Sequence, residues 1–283
     1  MNEPILITAR HMANKIEKSY HFENPIMSFD AWFAIKNLER FNEIKNKFAD
    51  NRSKDVIDLL LLAMLTGEYE KYCCMAYDDK QYFCLPQFTN GFNEYFIDAG
   101  AFVGDTLEHF ICSRAGNFGH IYCFEPGKKQ FVSLENRCER LINEWAIDEK
   151  KITLLNAGIG DTVDDIIFLM PDASLPSLSL LTNKTCQTES DKIHVYTIDE
   201  YFKDIPVSII KADIEGFEMK LLLGASNTIK KYKPKLALCT YHGANDIFIF
   251  IDFILKLVPE YRFILRHHSF SILETVLYCY IDE

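Results

Sequence analysis

A strand that stops in a glycine turn and opens a helix is written in Tyr95-Phe96-Ile97-Asp98-Ala99-Gly100-Ala101-Phe102-Val103-Gly104-Asp105. The apolar β-type run ends on an acid, two glycines flank the turn, and a helical pattern follows over Asp105–Ser113. Further along, β-type runs recur at His120–Phe124, Ile152–Leu155, Ser208–Ala212, Lys235–Tyr241, Tyr261–Leu265 and Ile272–Tyr280. Helical patterns at Lys128–Asn143, Phe217–Lys231 and Asn245–Leu257 separate most of them. Such alternation predicts right-handed crossovers and an α/β doubly wound fold, with a mostly parallel sheet covered on both faces. The last two strands have no helix between them, so the final one is expected to turn back antiparallel. Residues 163–206 interrupt the rhythm with two shorter strand-like runs, Ile166–Met170 and Ile193–Thr197.

Before Tyr95 the pattern is helical. Ser28 or Asp30 can cap a helix with apolar positions at Trp32, Phe33, Ile35, Leu38, Phe41, Ile44 and Phe48. Ser53 can cap a second, Val56–Leu65, which Gly67 ends. Tyr82-Phe83-Cys84-Leu85 reads as a short extended link. The division expected from this is a helical cap over residues 1–90 and an α/β domain over 91–283.

Length and charge narrow the function classes. The 283 residues carry 30 Lys+Arg against 41 Asp+Glu, a net charge of −11, which disfavours a non-specific grip on nucleic acid. The N-terminus lacks a basic region followed by an apolar run, and the apolar stretch Ile247–Val258 is too short to span a bilayer. None of the nine cysteines forms a CxxC, and only Cys73 and Cys74 are close, so reduced, buried thiols are expected. A cytoplasmic protein fits this set; the oligomeric state, a homo-oligomer included, stays open.

Chemistry-bearing residues gather at strand ends. A dinucleotide fingerprint would need glycine at Phe102 and Asp105, and both are absent. The loop Gly100–Gly104 behind Asp98 suits a ligand without a pyrophosphate. S-adenosylmethionine is one, its amino group wanting a carboxylate and its amino-acid end close backbone approach. A plain strand-to-helix turn reads equally well from the same glycines. Glu125, at the end of Tyr122-Cys123-Phe124-Glu125-Pro126, can hold two ribose hydroxyls, or merely favour a helix start. Asn156 and Ala157, after the third strand, could border an adenine ring. Asp213, Glu215 and Glu218 lie within six residues after the fourth strand, offering oxygens to a divalent metal without a full octahedral set. His242 follows the fifth strand and His268 the sixth, and histidine is the natural base near neutral pH. The Phe248–Phe253 stripe reads as a buried helix face.

Taken together, Phe96–Thr106, Tyr122–Pro126, Lys211–Glu218, Pro234–His242, Tyr261–His268 and Glu274–Tyr278 resemble, in order, the FkbM family of S-adenosylmethionine-dependent methyltransferases. The resemblance covers roughly residues 81–283. It implies the class I methyltransferase fold, a Rossmann-like seven-stranded sheet with an antiparallel last strand. It also implies that Asp98, Gly100 and Gly104 cradle the methionine part and Glu125 holds the ribose, with Ala101, Phe102, Pro126, Asn156 and Ala157 also on the cofactor. O-methylation of a sugar or glycan intermediate is the activity it implies. A sugar hydroxyl needs a positioned base, and His242 is the one expected here from its place at a strand end, with Asp213 orienting it or the acceptor and Glu215 and His268 in reserve. The rival readings are a non-catalytic adenosyl-binding protein, a nicotinamide dehydrogenase, and methylation of a nitrogen, carboxylate or phosphate-linked group.

Overall fold

The computed structural model describes residues 31–167 and 192–282. The chain divides into two compact units, one of residues up to Cys84 together with Leu238 onward, the other Leu85–Ala237. Seven strands, β1 (Tyr95–Ala99), β2 (His120–Phe124), β3 (Ile152–Leu155), β7 (Ile209–Ala212), β8 (Lys235–Cys239), β9 (Arg262–His267) and β10 (Thr275–Tyr280), form one sheet. Their order is β3-β2-β1-β7-β8-β10-β9. β1 pairs in parallel with β2 and with β7, and β10 runs antiparallel to β9, as the missing helix predicts. A second, three-stranded sheet holds β4 (Gly158–Ile159), β6 (Lys192–Tyr196) and β5 (Asp164–Ile167), in that order. The expected run Ile166–Met170 is therefore earlier, and its residues 168–170 lie outside the described ones.

In the Leu85–Ala237 unit, β1 is buried from Phe96 to Ala99, as a central parallel strand between two helix layers should be. Helix Asp105–Ser113 buries Leu107, Phe110 and Ile111. Helix Lys128–Trp145 buries only Leu134, Cys138 and Leu141, a stripe at steps of four and three that leaves its other faces to water. It runs past the expected Asn143 to Ala146, which caps it in the left-handed region. The helix expected over Phe217–Lys231 is two, Glu218–Gly224 and Ser226–Tyr232. Ser226 Oγ donates to the carbonyls of Leu222 and Leu223, competing with the helix ladder, and Gly224 packs so closely that a Cβ would meet Gly160 O at 2.1 Å.

In the other unit the first helix is broken as well, into Ala31–Lys36 and Leu38–Lys45. Asn37 Nδ2 donates to Phe33 O at the break. The expected caps Ser28 and Asp30 lie outside the described residues. Helix Asn51–Thr66 is capped by Asp50, not Ser53: Asp50 accepts from Ser53 N at 2.8 Å and from its hydroxyl at 2.6 Å. Gly67 ends it in the left-handed region, as read. Tyr82–Leu85 is a turn rather than an extended link, closed by Phe83 N on Lys80 O, and Pro86 then opens a short helix to Thr89. Phe248 and Phe250 are buried on helix Asp246–Leu257. Cys73 is buried but Cys74 is exposed, as is Cys112, so burial of the thiols holds for only some of them. No helix among the described residues is long and apolar enough to cross a membrane.

Candidate functional site

Strand order reverses at β1, whose neighbours are β2 on one side and β7 on the other. Crevices at such a reversal, outside the carboxyl ends of the strands, are where doubly wound sheets take ligands. Three loops of the Leu85–Ala237 unit leave those ends: 100–104 after β1, 125–127 after β2 and 213–217 after β7.

The 100–104 loop is tied down by backbone bonds. Gly100 N and Ala101 N both donate to Phe124 O, at 2.9 and 3.0 Å. Gly100, Phe102 and Gly104 have φ of 78°, 49° and 85°. At Gly100 glycine is obligatory, because a Cβ would stand 1.9 Å from Asp213 O. The loops after β1 and β7 thus touch backbone to backbone. Ala101 is fully buried, whereas Phe102 is exposed at the turn.

Glu125 is buried beside this loop. Its Oε2 accepts from Phe102 N at 2.9 Å and its Oε1 from Gly127 N at 2.6 Å. Burial outweighs these bonds and pushes its carboxyl up to about 7. A carboxylate offers about four lone-pair positions, so two remain for hydroxyl donors. Asn156 Nδ2 donates to Glu125 O and Pro126 O, fixing the loop that carries the acid; Ala157 is buried.

Asp98 lies beneath the 100–104 loop, at the end of β1. It is wholly enclosed, and Lys211 Nζ lies 3.0 Å from its Oδ1. The same ammonium donates to Gly100 O at 2.6 Å and Ala99 O at 3.3 Å. A lysine side chain is thus a cation that Asp98 faces. In the sequence the sign of Lys211 is a charge inside the apolar run Ile209-Ile210-Lys211-Ala212, and its partner is not visible there.

After β7, Asp213 is half-buried and its N–H donates to Ala99 O. Glu215 is exposed in the left-handed region, and buried Glu218 closes the turn by accepting from Ile214 N at 2.8 Å.

The two histidines belong to the other unit. His242 is half-buried in the turn after β8, its ring centroid 4.1 Å from that of Tyr241. His268 is locked. Its Nδ1 lies 2.7 Å from Asp78 O, a carbonyl that only accepts, so Nδ1 carries the proton. Its Nε2 must then accept from Tyr278 OH, 2.8 Å away, whose oxygen in turn accepts from Tyr82 N. Burial lowers its pKa to about 4. With Nδ1 bonded to Asp78 O and Nε2 to Tyr278 OH, His268 is held as a neutral ring inside this unit.

The model of the methyltransferase FkbM domain matches residues 98–272, more than half of the chain. The chain belongs to the FkbM methyltransferase family. It is similar to the crystal structure of an FkbM methyltransferase from Methylobacillus flagellatus KT, at 27% identity and a TM-score of 0.74. That match covers 91% of this chain and 63% of the other, so the chain spans less than two thirds of its relative's length. A remote likeness, with a TM-score of 0.44 and 12% identity over 72% of this chain and 99% of the other, is to an rRNA methylase from Streptococcus thermophilus. No curated protein matches the chain. The FkbM match begins at Asp98 and takes in all three loops of the crevice as well as His242 and His268.

Proposed function

We propose that this FkbM chain transfers a methyl group from S-adenosylmethionine to a hydroxyl of a sugar or glycan intermediate. The observation that carries the reading is Glu125: a buried carboxylate at the end of β2, held by two backbone N–H groups, with lone pairs left for a ribose diol. The bound cofactor would supply a methyl group on a positively charged sulfur. Glu125, with Pro126 and the 100–104 backbone, would hold it; the enclosed Asp98 acts instead through Lys211 on the shape of that loop.

A sugar hydroxyl is a poor nucleophile at neutral pH, and a positioned base adds about 10²–10⁴ in rate. His242 takes this part in the proposal, receiving the hydroxyl proton as the oxygen attacks, and Asp213 orients the acceptor. Alignment of the attacking oxygen supplies much of the remaining acceleration.

Calorimetric titration with S-adenosylhomocysteine tests the cofactor site. Micromolar binding is expected, weakened at least about tenfold (1.4 kcal/mol) in Glu125→Ala, with no heat from NAD. Silence with S-adenosylhomocysteine, or an unaffected variant, overturns the reading. Binding without methyl transfer to any of a panel of sugars would favour the non-catalytic alternative.

A further inference from the structure

Among the described residues, eight that are not glycine have positive φ. Ala115, Ala146 and Lys233 follow helix ends, where this conformation is routine. Phe102 and Glu215 lie in the crevice loops. The remaining three, Lys80 (59°), Tyr82 (65°) and Glu274 (65°), surround a single side-chain contact in the unit that holds His242: Gln81 Nε2 donates to Glu274 Oε2. Such backbone persists only where the surroundings over-determine it, and it gathers at functional sites.

Glu274 is the telling case. It ends the β9–β10 connection, its carbonyl accepting from His268 N at 2.9 Å, a place where glycine or asparagine would turn without strain. The side chain is therefore what the glutamate adds. Its second oxygen, Oε1, accepts from Tyr241 OH at 3.4 Å, and Tyr241 packs on His242. Gln81, Tyr241 and Glu274 are each half-buried. Register places Thr275 opposite His267, so Glu274 stands at the end where β9 finishes. An apolar cavity adjoins, lined by Tyr241, Gly243 and Thr275 from this side and by Ile57, Leu60 and Met64 from helix Asn51–Thr66.

We infer that Glu274, Gln81 and Tyr241 bind two adjacent hydroxyls of the methyl acceptor, while the cavity takes an apolar substituent of the same ring. The inference rests on the methyl-transfer reading for the name acceptor, but the site stands on its own geometry. A carboxylate accepts two O–H donors side by side, the amide adds a donor and an acceptor, and the phenol hydroxyl can serve as either. These groups suit a 1,2-diol and refuse a simple alcohol, which leaves part of the cluster unanswered.

The test uses the full chain, with cis-1,2-cyclohexanediol and cyclohexanol as probes and saturation-transfer NMR as the readout. The diol is expected to bind at least about tenfold more tightly than the alcohol, and Glu274→Gln to weaken the diol about tenfold or more. Glu274→Gly separates a binding group from a strut. It should abolish diol binding and leave the thermal midpoint unchanged or raised, since the left-handed turn is relieved. The inference is overturned if neither probe binds, if diol and alcohol bind alike, if Glu274→Gln keeps its affinity, or if Glu274→Gly lowers the midpoint. S-adenosylhomocysteine titrated into the same samples keeps the two readings apart. Diol binding in a chain that ignores S-adenosylhomocysteine would end the methyl-transfer reading and leave this site standing.

Discussion

Lys211 Nζ sits 3.0 Å from Asp98 Oδ1, and both side chains are buried. The pair joins neighbouring strands, because Asp98 of β1 is in register with Lys211 of β7. Through its bonds to Ala99 O and Gly100 O the lysine also holds the turn that leaves β1. A buried ion pair gains little over a well-packed apolar pair, yet losing one partner strands the other's charge. Lys211→Met should therefore lower unfolding stability by about 3–5 kcal/mol in urea titrations. Asp98→Leu combined with Lys211→Met should recover most of that loss, since no charge is then stranded. The double variant should still bind S-adenosylhomocysteine poorly, because the ammonium that ties Ala99 O and Gly100 O together is gone. Full affinity in the double variant would show that the lysine does nothing for the loop.

Glu125 gives two opposite pH dependences. Burial raises its carboxyl from an ordinary 4.5 to about 7, so between those values the folded chain binds protons that the unfolded chain has released. Its contribution to stability is present below 4.5 and is lost as pH rises to 7. The urea midpoint of the wild type relative to Glu125→Gln should fall across that window. Ribose binding uses the ionised form, so S-adenosylhomocysteine affinity should instead rise with pH, by up to about tenfold per unit below 7, and flatten above. In Glu125→Gln the affinity should be low and independent of pH.

Two glycines at nearly the same φ make a controlled comparison. Gly67 (φ 74°) has nothing within 4 Å of where a Cβ would stand, whereas Gly100 (φ 78°) has Asp213 O at 1.9 Å. Gly67→Ala should cost only the left-handed penalty, about 1–2 kcal/mol. Gly100→Ala adds a backbone collision and should cost at least about 2 kcal/mol more, with loss of S-adenosylhomocysteine binding. Equal losses of stability would mean that the loops after β1 and β7 part easily.

Periodicity made the sheet legible because each central strand is a short apolar run bounded by turn residues; His120–Phe124 and Ile152–Leu155 have the bounds read from them. It misjudged places where side chains compete with the backbone. Asn37 and Ser226 bond to carbonyls of the preceding turn, and two helices break there. Glu125 was visible from its place at a strand end. Asp98 was visible too, but its partner was not, since the register that sets Lys211 beside it exists only in the folded sheet. The Gln81–Glu274 contact joins residues 193 apart in sequence, and no local pattern marks it.

The histidines separate by the same logic of partners. His268 is a neutral strut between Asp78 O and Tyr278 OH, while His242 packs on Tyr241 in a turn. His242→Ala should reduce turnover at least about a hundredfold and leave S-adenosylhomocysteine affinity within about twofold. His268→Ala should do the reverse. It removes the bonds that His268 makes to Asp78 O and Tyr278 OH, lowers stability by about 1–3 kcal/mol, and leaves turnover per folded molecule near that of the wild type. A His242→Ala enzyme of ordinary rate would move the search for a base to Asp213, where Asp213→Asn is the variant to assay.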